Sequence, residues 1–327
     1  MRELDKLLLR NADRTDAITK AFEAELRIRY LQAYGEIESQ LSDLYAKMGD
    51  TPSIMDARRY GRLDKLSKAI AAEYKKLTGW ELSRIRDHSA ANYAEAYYGT
   101  AWAYDQHLGV EVSWPVISAE AIRQSVWSGA TGENFSDRLR QWNTRELLTL
   151  NGKITSGLAQ GFGFSKMART VKAEVGDDYS RIVRIVRTEA HRNYSQGHLD
   201  LYDKLEDLGI DARKQWVATL DTRTRDSHGY MDGKFSDDKG NFKVGASIGP
   251  GPGLLEGPDQ KAQVINCRCR VVEIVDGLAP EYRRIRGEGI QPYQTFTDWA
   301  SRRGWSEKTG WDITAKAKLA ESQARKY

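Results

Sequence analysis

Apolar positions recur every three or four residues through the first half of the chain. Phe22, Leu26, Tyr30, Tyr34, Ile37, Leu41 and Leu44 fall on one stripe, which predicts an amphipathic helix over about 17–48. Gly49-Asp50-Thr51-Pro52 carries turn chemistry and ends it. A second stripe, Leu63, Leu66, Ile70, Tyr74 and Leu77, predicts a second helix, and an Ala- and Tyr-rich run predicts a third from about Leu82 to His107. Beyond the connector Gly109–Pro115, Ser118 is placed to cap a short helix holding Ile122 and Trp127, with Glu120 in its first turn. Ser136 is placed to cap another through Leu139 and Trp142. "GLAQGFGFSKMARTV" reads as a helix end, a Gly-rich turn and a new helix capped by Ser165, and a long helix follows from Ser180 to about Leu208.

The pattern changes after Gly209. "KQWVATLD" has the β-branched and aromatic content of a strand, and "CRCRVVEIV" reads as a second. Between them, six glycines and three prolines from Gly240 to Pro258 predict a loop. The fold class expected is α+β and mostly α: a helical N-terminal region, a small α+β domain and a partly helical C-terminal tail. The divisions fall at 1–150, 151–278 and 279–327. The tail is basic, holds Trp299, Trp305 and Trp311, and should end in a helix from about Asp312.

Composition narrows the function classes. With 327 residues the chain can bury a sizeable core, and nine Trp and sixteen Tyr argue against disorder. No apolar run is long enough to span a membrane, and the charged start MRELDKLLLRNADRTD does not read as a secretory signal. A net charge of +4 permits an acidic partner without demanding one. Two cysteines in so long a chain make no disulfide framework, and a cytoplasmic place of synthesis is expected.

Those cysteines, Cys267 and Cys269, are one residue apart. In a strand they would share a face about 6.6 Å apart at Cα, a spacing that strains a disulfide. Both could lean toward one zinc, with His228 from "DTRTRDSHGYMDG" as third ligand and Asp221, Asp226, Asp232 or water as fourth. The alternative is two small residues packed in a core, with His228 bonded to a turn. The same polar segment can be read as a hydrolytic site, but no nucleophile or phosphate cradle accompanies it; the other reading is a loop ordered by Asp–Arg pairs, with Asp232-Gly233 as a tight turn. In "RIVRIVRTEAHRNYSQGH", Arg184, Arg187 and His191 share a helical face, either a solvated face or a set of phosphate contacts. Glu189 falls off that stripe, near Arg192 and Asn193, where it can pair within its own helix.

Taken in order, "GLAQGFGFSKMA", "IVRTEAHRNYSQG", "WVATLDTRTRDSHGYMDGK", a Gly/Pro loop and "INCRC" resemble the phage Mu F-like minor head proteins, the phage head-morphogenesis family. The resemblance covers about residues 150–275. It places the family motif on Arg187, Thr188 and Glu189, on Asp221, Arg223, Arg225, His228, Asp232 and Gly233, and on Asn266, Cys267, Arg268 and Cys269, with the implied role of holding a small domain together. Many members carry a further His shortly before the cysteine pair. Here that stretch is "GPDQKAQVINCRC", which counts against a complete metal site.

The resemblance implies a minor capsid protein of a tailed phage, made in the host cytoplasm and sited in the virion head near the portal. The implied work is head assembly and genome packaging or delivery, without catalysis, and residues 1–150 would dock on portal or capsid. The portal protein is the implied partner; major capsid or scaffolding protein and non-specific DNA are the others it admits, and zinc is the one cofactor in question. Two alternatives stand beside it. One is an effector enzyme delivered with the genome, nuclease-like or ADP-ribosyltransferase-like, using Arg187/Glu189 and Asp226/His228. The other is a zinc-stabilised nucleic-acid-binding module.

Overall fold

A computed structural model describes residues 3–49, 53–109, 112–122, 135–210, 212–275 and 279–303. The helices are α1 (Glu3–Ala46), α2 (Ile54–Arg58), α3 (Arg62–Leu108), α4 (Phe135–Ala159) and α5 (Phe164–Asp207). Then come β1 (Ala212–Val217), α6 (Asp226–Met231), β2 (Phe242–Val244), β3 (Ser247–Gly249), α7 (Gln260–Val264), β4 (Arg270–Val275), β5 (Tyr282–Ile285), β6 (Gly289–Pro292) and α8 (Phe296–Ser301). The class is α+β with helix dominant, as the periodicity implied. The chain divides into two units: residues 18–88 with 123–186, and residues 1–17 with 89–122 and 187–327.

The first unit is helical. Stripes from four helices share one core: Leu26, Ile37 and Leu41 of α1, Ile70 and Ile85 of α3, Leu139, Leu150 and Ile154 of α4, and Met167 and Val171 of α5. Every residue of the first predicted stripe is in this core or packed on it, because the 3.6-residue repeat forces one face inward.

Two predicted breaks are absent. The second and third predicted helices are one, α3, which runs through Gly79. An interior Gly costs about 1 kcal/mol, and the burial of Leu77 and Ile85 on either side outweighs it. Likewise α5 begins at Phe164 and runs through Gly176. Ser180, expected to start a helix, lies inside it and donates to the Gly176 carbonyl at 3.0 Å. Ser165 and Ser136 are also inside their helices rather than capping them. Ser118 does cap: its Oγ accepts from the Ala121 N–H at 3.1 Å. Asp50–Pro52, Trp127, Trp305, Trp311 and the helix from Asp312 lie outside the described residues.

The second unit is built from three separate stretches of chain. Helix α1 starts some fourteen residues before its predicted start, at Glu3 rather than 17. Its inward stripe there is mostly polar, with Asp5, Asn11 and Thr15 buried beside Leu7, so hydropathy alone hides it. Asn11 finds its partner in Thr100, at 3.1 Å. Asp13 and Asp16 of α1 pair with Arg284 and Arg270, at 2.6 and 3.0 Å. Within this unit, α3 and α5 touch backbone to backbone at Gly197, where a Cβ would stand 2.5 Å from the Tyr93 carbonyl oxygen. Gly197→Ala should therefore lower stability by about 1–3 kcal/mol, read as a lower urea midpoint at unchanged slope.

Strands β1 and β4 pair antiparallel with Trp216 opposite Val271. The Gly/Pro segment predicted as a loop contains the β2–β3 hairpin, which turns at Gly245 with φ +62°. The alternation Phe242-Lys243-Val244, buried–exposed–buried, is too short a signal to stand out among glycines. The predicted second strand begins only at Arg270, so both cysteines precede it. After β4, the β5–β6 hairpin and α8 pack Ile285, Phe296, Trp299 and Ala300 against Leu220. Thr295 and Asp298 form the capping box that starts α8.

Candidate functional site

The site lies where β1 and α6 meet the segment ahead of β4. Trp216 of β1 is fully buried and sets the floor, with the His228 ring edge-on at 5.4 Å and Phe242 at the same distance. His228 sits not in the loop that one of the two readings offered but on the short helix α6. That turn presents it inward, 1% exposed, toward two cysteines that are each 3% exposed. Nδ1 of His228 stands 3.3 Å from Cys269 Sγ and 3.5 Å from Cys267 Sγ. Asn266, with φ +55°, makes the turn that lets both cysteines face the imidazole without a strand.

The other ring nitrogen is also engaged. Nε2 of His228 lies 3.0 Å from Gln263 Oε1. Gln263 Nε2 in turn donates to Asp259 Oδ2 at 2.8 Å, which fixes the amide so that its oxygen faces the ring. The tautomer this selects carries the proton on Nε2 and leaves Nδ1 bare toward the sulfurs. Burial pushes the Cys267 thiol up. Hydrogen bonds from Cys269, with the charges of Arg225 and Arg268, more than offset that and bring it net below its ordinary value. Burial and the neighbouring Cys267 hold Cys269 well above its own. One of the pair ionises well before the other.

The remaining motif residues brace this centre. Asp221 is fully buried and takes both Arg268 nitrogens, one at 2.9 Å, along with the Arg223 N–H at 2.9 Å. Arg225 reaches the Ile265 carbonyl. The Thr188 hydroxyl accepts the Asn266 N–H at 3.1 Å. Asp232 accepts from the Ala218 and Phe296 N–H groups, both at 2.6 Å, and pairs with Arg283 at 2.8 and 3.1 Å. Gly233, at φ +80°, is the turn that returns the chain to β1. Asp221 and Asp232 are thus committed to arginines and stand apart from the sulfur–imidazole cluster. Among the described residues that cluster is the one grouping of donors able to hold a metal. A small polar cavity lined by Thr219, Thr224, Asn266 and Arg268 opens onto His228 and Cys269, with room for about one water molecule.

Of the residues on the α5 face, Arg184 and Arg187 are exposed. His191 turns inward and its Nε2 is shielded from solvent. Burial, then the Arg270 charge, hold it neutral, down to about 3. Glu189 pairs with Arg192 at 3.7 Å. Sequence reasoning missed Gln263, Asp259 and Arg283. Gln263 sits in "GPDQKAQVINCRC", which holds no His, and an amide there is the signal that could have found it.

Residues 148–272 match the family described as "Phage Mu protein F like protein". The chain is 26% identical over 312 residues to the minor head protein GP7 of Bacillus phage SPP1, covering 92% of this chain and 96% of that one. It is 27% identical over 275 residues to the NAD(+)–arginine ADP-ribosyltransferase EFV of Enterococcus faecalis (strain ATCC 700802 / V583). That second match covers 84% of this chain, which spans 56% of the relative's length. No solved structure matches at a significant level. Motif order, the buried residues it selects and the match over 148–272 agree: this part of the chain is similar to the phage Mu F-like family.

Proposed function

We propose that this protein is a minor head protein of a tailed phage, carried in the virion near the portal vertex. It acts by binding the portal, in head assembly and in genome packaging or delivery. The match to the SPP1 minor head protein carries the reading, because it runs nearly end to end in both chains. The arrangement of the motif supports it: the family residues are spent on bracing a small buried centre around His228 and the two cysteines. Among the described residues no helix is long and apolar enough to cross a membrane. The exposed Arg184 and Arg187 suit weak, salt-sensitive contact with packaged DNA. Major capsid or scaffolding protein are further partners this reading admits.

Co-expression with the portal protein of the same phage is the test. The chain should elute and sediment with the portal ring and be present in purified particles. Its absence from both would retire the proposal. A second reading, an arginine ADP-ribosyltransferase or related effector, has one specific observation in its favour, the name of the second relative. It predicts NAD-dependent labelling of arginine that a Glu189→Ala variant loses. Labelling no greater than that variant's would remove it.

A further inference from the structure

We propose that His228 Nδ1, Cys267 Sγ and Cys269 Sγ bind one zinc ion, with water as the fourth ligand. The geometry is the first support. Zinc–sulfur bonds of about 2.3 Å and zinc–nitrogen bonds of about 2.0–2.1 Å at a tetrahedral angle give nitrogen–sulfur edges of about 3.6 Å. The two edges here are 3.3 and 3.5 Å, so an ion enters with movements of a few tenths of an ångström. The three donor atoms all lie within 4.8 Å of one another.

The surroundings are the second support. A metal-bound imidazole needs its far N–H held, and Gln263 Oε1 does that at 3.0 Å, itself oriented by Asp259. Thiolate and imidazole donors select zinc over the hard cations. Trp216, Phe242 and Met231 close the apolar side. The small cavity beside His228 and Cys269 has room for about one water, the fourth ligand that the committed Asp221 and Asp232 do not supply. An ion here would fasten α6 to the segment ahead of β4, across the fold's long Gly/Pro connection. This proposal does not depend on the one for the virion.

The test uses the full chain, reduced and stripped with a chelator, then titrated with cobalt(II) as a spectroscopic stand-in. One equivalent should give tetrahedral-strength visible bands and a sulfur-to-cobalt charge-transfer band of two-thiolate intensity. Cys267→Ser and Cys269→Ser should each halve that band or abolish binding, and His228→Ala should weaken binding by more than tenfold. Gln263→Leu keeps every ligand and should leave the spectrum unchanged while weakening affinity about 10–100-fold. No charge-transfer band at stoichiometric cobalt, or one that survives in the double Cys→Ser variant, would overturn the proposal. Because these variants can fail to fold, wild-type melting is compared in zinc and in chelator. Zinc should raise Tm, and equal Tm values would count equally against the site.

Discussion

Asp232→Asn should destabilise the protein by about 3–5 kcal/mol, the largest single effect expected outside the core aromatics. Asp232 and Arg283 are 1% and 4% exposed at their side chains, and each is the other's counter-charge. Arg283 also donates to the Ala218 and Gln294 carbonyls, and Asp232 receives the N–H groups of Ala218 and Phe296. Removing one charge strands the other in a medium that cannot solvate it. Arg283→Met should cost a similar amount. The double variant should be better than the sum of the singles by about 2 kcal/mol, since neither charge is then left alone. Urea midpoints of the four proteins decide it, and strict additivity would mean the pair contributes nothing as a pair.

The helical unit of residues 18–88 and 123–186 should lose stability as pH rises from 5 to 8. Glu81 is held at about 7 by burial, which wins over the hydrogen bonds from Tyr30 and Asn143 at 2.6 and 2.7 Å. Asp178 is also held at about 7, by burial first and then by the charges of Glu81 and Glu146. The unfolded chain releases these protons near pH 4. Between about pH 4.5 and 7 the folded state therefore binds more protons than the unfolded, and stability falls with rising pH. The Glu81 contribution is about 3 kcal/mol over that window. Glu81→Gln keeps an oxygen for Tyr30 and removes the titration. It should flatten the pH dependence and be more stable than wild type at pH 8. A variant with the wild-type slope would show that Glu81 does not carry the effect.

What the sequence disclosed depended on whether a signal was periodic and apolar. The stripe from Phe22 to Leu44 was legible because each member is buried for the same reason. The stripe from Asp5 to Thr15 was not, because its inward residues other than Leu7 are polar, and Asn11 finds its side-chain partner only in the remote Thr100. The breaks expected between Leu77 and Leu82 and ahead of Ser180 are absent, since the local cost of Gly79 or Gly176, about 1 kcal/mol, says nothing of the packing around it. At the site, Cys267, Cys269 and His228 were legible as a group from chemistry and order. Their geometry was not, because it depends on the turn at Asn266 and on α6, two features of a few residues each. Arg283 was invisible among the other arginines of the tail, since only tertiary contact separates it from them.

The discontinuity of the second unit bears on the order in which the protein can be made. Asp13 and Arg284 are 271 residues apart in sequence, and Asp16 and Arg270 are 254 apart. At ribosomal speeds of 5–20 residues per second, roughly 15–50 s separate the emergence of the first pair's two members. The helical unit ends at residue 186 and can close within that interval, before the partners of the opening turns of α1 have been made. Synthesis thus fixes a sequence of events that refolding from denaturant does not: the interrupted helical unit first, and the unit that carries the cysteines last.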